Sequence, residues 1–190
     1  TESVVTLIYA LAIGLSMAAT AMVSRRIGEK RPEAAAQAAA QAMLIALGVS
    51  TVLGILGVWF AADILRLMGG TAEVVAMGTP YTRIMLGGNL AITFLFLLNG
   101  IFRGAGDAAI AMRSLWIANL INIALDPIFI FGWGPIPEMG VTGAAIATTI
   151  GRSVGVLYEL YILFGPKGRI QLNGRAFLPA PNLLAKLGKI

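Results

Sequence analysis

Five long apolar segments, separated by shorter polar stretches, organise this chain. A bilayer core about 30 Å thick needs roughly 20 helical residues at 1.5 Å rise per residue. Between the second and third segments lies a mixed stretch, Ala61–Tyr81, which predicts one or two short helices at the membrane surface. The five segments of sufficient length are Val4–Val23, Ala38–Phe60, Ile84–Phe102, Met112–Phe131 and Gly143–Phe164. The pattern therefore predicts an all-α, polytopic membrane helix bundle with five transmembrane helices.

The composition supports a membrane protein and excludes several kinds of chemistry. Of the 190 residues, 58% are hydrophobic and only 12% are charged, whereas soluble domains carry about 25% charged residues. The chain has no Cys and no His. Disulfides, thiolate or imidazole metal sites, and Ser/His or Cys/His nucleophiles are therefore absent. We expect no metal site, no cofactor and no catalytic residue, and hence a protein that is not an enzyme.

The distribution of basic residues predicts the orientation in the membrane. Lys and Arg concentrate in cytoplasmic segments of membrane proteins. Arg66 and Arg83 lie on one side of the predicted membrane, whereas eleven basic residues lie on the other. Those eleven are Arg25, Arg26, Lys30, Arg31, Arg103, Arg113, Lys167, Arg169, Arg175, Lys186 and Lys189. We therefore expect a plasma (inner) membrane protein whose first described segment begins outside and whose C-terminal end is cytoplasmic. The net charge of +5 is explained by topology, and we expect no nucleic-acid partner.

The two ends of the chain suggest a larger protein. Five spans that begin outside form an odd set, and one further helix before Thr1 would complete a group of six. The polar stretch that begins at residue 166 resembles a linker, and an apolar pattern resumes from Asn182 to Ile190. We expect residues 1–165 to form part of a helical lobe. Residues 166–190 are expected to form a cytoplasmic linker and the start of the next helix.

The fourth predicted span contains the clearest candidate site. Asn119, Asn122 and Asp126 are spaced i, i+3 and i+7, which places them on one helix face. Pro127 follows and cannot donate to the carbonyl of Ile123, so the helix has a free acceptor there. A carboxylate, an amide and a free carbonyl together indicate a cation or proton site. The alternative is a helix-end Asp near lipid headgroups, or a structural hydrogen bond.

The fifth predicted span contains Arg152 near its centre, with Thr148 one turn earlier. A guanidinium facing lipid at that depth is costly, so Arg152 should point into the bundle. It could bond Glu159 or backbone carbonyls, or it could contact substrate. The span also has small residues at every fourth position, namely Gly143, Ala147, Gly151 and Gly155. Such a series predicts close packing against another helix.

Polar residues in the first and third spans allow two interpretations. Ser16 and Thr20 are one turn apart in the first span, and Asn99 lies late in the third. Hydroxyl and amide groups of this kind join helices in many membrane proteins. They could equally line a polar cavity that binds substrate.

Taken together, these motifs resemble the MATE (multidrug and toxic compound extrusion) family. The resemblance rests on Ser24–Gly28 (SRRIG), Arg103–Asp107 (RGAGD), Asn122–Pro127 (NIALDP) and Gly140–Thr148 (GVTGAAIAT). It covers residues 1–165 and implies the second to sixth helices of a six-helix lobe. The first helix, which carries a further Asp in the family, and the C-terminal lobe do not occur in these 190 residues.

The resemblance implies a cation-coupled (H⁺ or Na⁺) antiporter that exports cationic and amphipathic drugs by alternating access. It implies ion-coupling roles for Asp126, Asn122, Thr148 and Asn99. Its implied partners are the lipid bilayer, small organic cations, and the first helix and C-lobe of the same protein. Three alternatives remain at this stage. They are a lipid-linked oligosaccharide flippase of the same superfamily, an intramembrane enzyme, and a non-transporting membrane scaffold.

Overall fold

The computed structural model describes residues 2–165, with side chains from residue 6 onward, together with residues 170 and 172. Every regular element in these residues is a helix. The helices are α1 (Glu2–Gly28), α2 (Pro32–Trp59), α3 (Ala61–Leu67), α4 (Ala72–Gly87), α5 (Asn89–Gly104), α6 (Ala108–Phe131) and α7 (Gly140–Phe164). Five spans are long and apolar enough to cross a membrane, α4 and α5 together forming one. This confirms the all-α fold and the five spans.

The predicted linker and further helix at 166–190 lie outside the described residues, apart from 170 and 172. Leu172 is buried, and its N–H donates to the carbonyl of Leu163 at 3.2 Å. The prediction for this segment therefore stays a prediction.

The turns at one end of the bundle follow from local sequence. Pro32 lies in the first turn of α2. A backbone N–H at this position has no hydrogen-bond partner within the helix, so proline is tolerated there. In the preceding turn, hydrogen bonds from Arg25 and Arg26 to Glu29, both 3.0 Å, hold the pKa of Glu29 below its usual value. Gly106 has a φ of 83°, a left-handed conformation that favours glycine. It allows the tight turn between α5 and α6 that the sequence predicted.

The third span is longer than predicted. The stretch 61–81 was predicted to form one or two short helices: α3 is a separate short helix, and α4 begins within the same stretch. Thr71 begins α4 by accepting a hydrogen bond from the Val74 N–H at 3.4 Å, as N-cap threonines do. α4 then continues past Pro80 and leads into α5. Pro80 and Arg83 interrupt the apolar run in the sequence, and this is why the pattern placed the span start too late.

A break at Gly88 separates α4 from α5. The Gly88 N–H closes α4 on the carbonyl of Ile84 at 2.8 Å. The fully buried Asn89 then starts α5. Its amide nitrogen donates to the Leu86 carbonyl at 3.1 Å and to the Ser50 carbonyl of α2 at 2.9 Å. The side chain of Asn89 therefore stabilises the break and joins two spans.

α5 lies at the centre of the bundle, in contact with α1, α2, α6 and α7. Its large buried side chains are Leu97, Leu98, Ile101 and Phe102. α2 presents a face of alanines to this core, and these are Ala35, Ala36, Ala39, Ala40, Ala42 and Ala46. Small side chains let the helices approach closely, and this is how helices associate where lipid removes the hydrophobic driving force.

Candidate functional site: a polar cluster between α6 and α7

α7 packs directly on the backbone of α6 through glycines. A Cβ added at Gly151 would lie 2.6 Å from the Ala118 carbonyl oxygen. A Cβ added at Gly155 would lie 3.2 Å from the Ser114 carbonyl oxygen. Gly143 approaches the Phe129 carbonyl even more closely. The series of small residues therefore forms the α6–α7 contact, in agreement with the sequence analysis.

This close contact brings together three of the four side chains predicted to couple an ion. Asn122 is half-buried on α6, and its amide nitrogen donates to Asp126 Oδ1 at 3.1 Å and to Thr148 Oγ1 of α7 at 3.2 Å. We call Asn122, Asp126 and Thr148 the Asn122 cluster. The side-chain amide of Asn122 donates both hydrogen bonds, and it thereby joins two helices through residues that are 26 positions apart in sequence.

The oxygen atoms of the Asn122 cluster suit a small cation or a proton. It contains one carboxylate, one hydroxyl and the amide oxygen of Asn122. Pro127 lies inside α6 and cannot donate to the carbonyl of Ile123. Within the described residues, no three Asp, Glu, His or Cys side chains lie close enough to hold a metal ion. A single carboxylate among neutral oxygens favours a monovalent ion over a divalent metal.

Two further predicted residues lie apart from this cluster. Asn99 is buried in α5, and its amide nitrogen donates to the Leu95 carbonyl of the same helix at 2.7 Å. Its Oδ1 has no hydrogen-bond partner in the part of the chain that the structure describes. Asn119 is exposed on α6, in a shallow apolar depression with Trp116 and Leu120. Its spacing from Asn122 is helical, but the structure turns it toward the outer surface of this chain.

Arg152 points into the bundle, as its depth required, but its partner was not predicted. Its guanidinium donates to the hydroxyl of Tyr9 on α1 and lies 5.6 Å from the centre of the Tyr9 ring. The Tyr9 ring packs edge-on against Phe96 of α5, with centroids 5.7 Å apart. Tyr9 and Arg152 are 143 residues apart in sequence, and no local spacing signals the pair.

The intrahelical link from Arg152 to Glu159 is not formed. Glu159 is fully buried, and its Oε1 instead lies 2.8 Å from Ser114 Oγ on α6. The sequence analysis noted Glu159 only as a partner for Arg152. Glu159 lies on the side of α7 that carries the glycines, and this position could have been used to predict its contact with α6.

Ser16 and Thr20 join α1 to α5. Ser16 Oγ donates to the Phe96 carbonyl at 2.7 Å. Thr20 Oγ1 lies 2.9 Å from the Gly100 carbonyl and 2.8 Å from the Ser16 carbonyl. A Cβ at Gly100 would lie 2.7 Å from the Ser16 carbonyl oxygen. These hydroxyls occupy a tight helix contact, which is one of the two interpretations that the sequence allowed.

A cavity of about 950 Å³ lies between α1, α4 and the start of α7. Its lining combines aromatic rings, a carboxylate and flexible apolar side chains. These are Tyr9, Tyr81, Glu73, Met77 and Met139, with Thr142 beside them. Tyr9 also forms a hydrogen bond with Arg152, so one side chain both lines this cavity and contacts the guanidinium.

Comparison with known proteins agrees with this geometry. The MatE family model matches residues 1–128. A probable multidrug resistance protein from Bacillus subtilis (strain 168), YoeA, is 31% identical over 170 residues, covering 88% of this chain and 36% of the relative. Two solved structures of a multidrug resistance MATE family transporter, one inward-facing and one outward-facing, each match with a TM-score of 0.86 and 33% identity. Each match covers 96% of this chain and about 40% of the transporter.

The fold and the polar cluster define a polytopic helical protein of the membrane transporter class, not an enzyme. The chain belongs to the MATE family of multidrug efflux transporters. It spans about a third of the length of the curated relatives it matches, and about two-fifths of the solved transporters. That share fits part of one lobe. The intramembrane enzyme is therefore excluded, and the family's multidrug transporters favour export over the flippase.

Proposed function

We propose that this chain supplies the ion-coupling half of an exporter of cationic and amphipathic compounds, driven by entry of H⁺ or Na⁺. The observation that supports this most directly is the hydrogen-bonded Asn122 cluster beside the helix proline. A charged carboxylate in an apolar membrane protein is costly unless it has a partner or a function. Among the described residues, the side-chain hydrogen-bond partner of Asp126 is the neutral amide of Asn122.

Ion binding would change the hydrogen bonds of the cluster. A proton on Asp126, or a Na⁺ ion between its carboxylate and the Thr148 hydroxyl, would compete with the Asn122 amide for the same oxygens. Pro127 lacks an N–H, so α6 has fewer backbone bonds to resist bending at this level. Occupancy of the site therefore favours one bend of α6 over another.

The matches to inward-facing and outward-facing structures, at equal TM-score, support alternating access in which this part of the protein moves as one body. On this view the ion changes the relation between the lobes through the bend of α6, while the packing of α1, α2 and α7 on α5 is kept. The shared contacts of α1, α2 and α7 with α5 supply the required rigidity.

The cavity beside Tyr9 supports an amphipathic cation as substrate. The Tyr9 and Tyr81 rings can bind an organic cation through their π faces, and Glu73 supplies a compensating charge. Met77 and Met139 adapt to different apolar shapes. Arg152 bonds Tyr9 and forms no salt bridge among the described residues.

We place the chain in the plasma membrane, with the start of α1 outside and the end of α7 in the cytoplasm. The support is the charge distribution: Arg25, Arg26 and Arg103 lie at one end of the bundle and Asp63 and Glu73 at the other. The experiment that tests the orientation is labelling of single cysteines, since the chain has none of its own.

The test of coupling is Asp126→Asn in the full-length protein, produced in cells that lack their own drug exporters. We expect extrusion of a fluorescent organic cation to fall to background while the amount of protein in the membrane is unchanged. The matched control is Asp63→Asn, because Asp63 is exposed and bonded only to Arg66; it should export normally.

Wild-type extrusion by the Asp126→Asn variant would overturn the proposal. Reconstituted vesicles with an imposed Na⁺ or pH gradient then identify the ion. The gradient that drives uptake in the wild type, and fails to do so in Asp126→Asn, is the coupling gradient.

A further inference from the structure

Glu159 is a buried carboxyl group that the proposed ion site does not use. It lies on α7 opposite Ser114, near the start of α6, whereas Asp126 lies near the end of α6. The two acidic residues therefore occupy opposite ends of the same helix pair. None of the Glu159 side chain is exposed, and its Oε2 has no hydrogen-bond partner among the described residues.

The hydrogen bonds around Ser114 indicate where a proton is held. Ser114 Oγ lies 2.9 Å from the Ala111 carbonyl oxygen and 2.8 Å from Glu159 Oε1. A serine hydroxyl has one hydrogen and two lone pairs. If that hydrogen is donated to Ala111, the hydrogen between Ser114 and Glu159 must belong to the carboxyl. A neutral Glu159 donates to Ser114, Ser114 donates to Ala111, and both short contacts are hydrogen bonds.

An ionised Glu159 would be poorly satisfied in this position. It would draw the only hydroxyl hydrogen away from Ala111 and leave a charged Oε2 without a donor, which is strongly unfavourable in a buried site. Among the described residues, Arg103 of α5 is the positive group whose charge acts on it. Arg113 is exposed on α6, Arg152 bonds Tyr9, and the salt bridges of the described residues do not include Glu159.

The other charged or titratable groups on the helices packed around Glu159 do not stabilise its ionised form. On α6, Asp107 at the N-cap has the same sign as an ionised Glu159. On α7, Tyr158 is neutral and precedes Glu159 by one residue. Neither supplies a positive partner.

We propose that Glu159 is a second proton-binding site of this transporter, which carries its proton while α6 and α7 are packed as seen here. When the proton leaves, the carboxylate requires a donor that Ser114 alone does not supply. Arg103 is the compensating group within electrostatic range, so deprotonation favours a shift of the end of α7 toward the end of α5. The two ends of the α6–α7 pair then respond to protons independently.

The test is infrared difference spectroscopy of the full-length protein in lipid bilayers, with ¹³C-labelled glutamate. A protonated carboxyl has a C=O stretching band that a carboxylate lacks. We expect the wild type at neutral pH to show one buried acid band that shifts with the label. Glu159→Gln should remove it, and the matched control Glu33→Gln should keep it, since Glu33 is exposed at the start of α2.

A second variant covers the case in which Glu159→Gln does not accumulate. Ser114→Ala removes the acceptor of the acid hydrogen and should move the band to higher frequency without deleting it. An absent band in the wild type, a band that survives Glu159→Gln, or a band unmoved by Ser114→Ala would each overturn the proposal. Asp126→Asn should leave the band in place, so failure of the ion-coupling proposal and failure of this one are distinguishable.

Discussion

α5 and α6 are neighbouring helices of similar hydrophobicity with very different surroundings. In the span Ala72–Gly104, which ends with α5, 67% of the most apolar stretch is buried, against 11% for α6. Trp116, Leu120 and Ile123 of α6 are exposed in this chain. α5 is enclosed by other helices, whereas α6 contacts the bundle mainly through α7, with a smaller contact to α5.

The polar side chains of the two helices differ accordingly. Asn89 and Asn99 of α5 donate to backbone carbonyls, which is a structural use of an amide. Asn122 of α6 donates instead to two other side chains. Side chains change partners more readily than a helical backbone does. A polar residue in the enclosed helix therefore stabilises the fold, and one in the α6–α7 contact is available for exchange with an ion.

The largest expected effect is on the α6–α7 contact itself. Gly151→Ala places a Cβ 2.6 Å from the Ala118 carbonyl, and overpacking of this kind costs roughly 1–3 kcal/mol. We expect the Tm to fall, with loss of export because Thr148 moves away from Asn122. The measurement is thermal unfolding of the full-length protein in detergent.

The control for that change is Gly48→Ala. No atom lies within 4 Å of a Cβ at Gly48, and alanine has the higher helix propensity by about 1 kcal/mol. Its Tm should be unchanged or raised. If the two variants lose equal stability, the close contact between α6 and α7 is not what holds the pair together.

The next prediction distinguishes an asparagine that stabilises the fold from one that is needed for export. Asn89→Ala should lower the free energy of unfolding by about 1 kcal/mol, the range for hydrogen bonds between membrane helices, and reduce the amount of protein in the membrane. Asn122→Ala should keep that amount and reduce export. Both are measured by quantifying membrane protein and export in the same cells. The comparison of α5 with α6 fails if Asn122→Ala is the variant that lowers protein yield.

The smallest effect concerns one hydroxyl. Thr148→Val keeps the shape of the side chain and removes the acceptor for Asn122. A loss of about 1 kcal/mol corresponds to a roughly fivefold higher concentration of the coupling ion at half-maximal transport. Thr149→Val is the control, because Thr149 donates only to the Ala145 carbonyl of its own helix. Equal ion requirements in the two variants would remove Thr148 from the site.

Much of the fold could be predicted because membrane spans have a strong local signal. The five apolar segments, the tight turn at Gly106 and the packing role of Gly151 all depend on neighbouring residues along one helix. The start of α4 was missed because Pro80 and Arg83 break the apolar run. A proline inside a membrane helix is tolerated when other helices pack over it. The hydrophobic pattern of a single helix does not show whether they do.

The candidate site could be predicted only in part. Asn122 and Asp126 share one helix face, so their spacing identified them, and family resemblance added Thr148. The pairs Tyr9–Arg152 and Ser114–Glu159 join residues 143 and 45 positions apart. Such pairs depend on which helices meet and how they are rotated. No property of the separate helices determines this.

The break at Gly88 gives the middle of one span a permanent electric field. Each helix has a partial positive charge at its N-terminal end and a partial negative charge at its C-terminal end. Because α4 ends and α5 begins at this point, the C-terminal end of one dipole meets the N-terminal end of the next inside the bundle. These partial charges carry no titratable proton. The field from this span is therefore set by the backbone and does not change with pH.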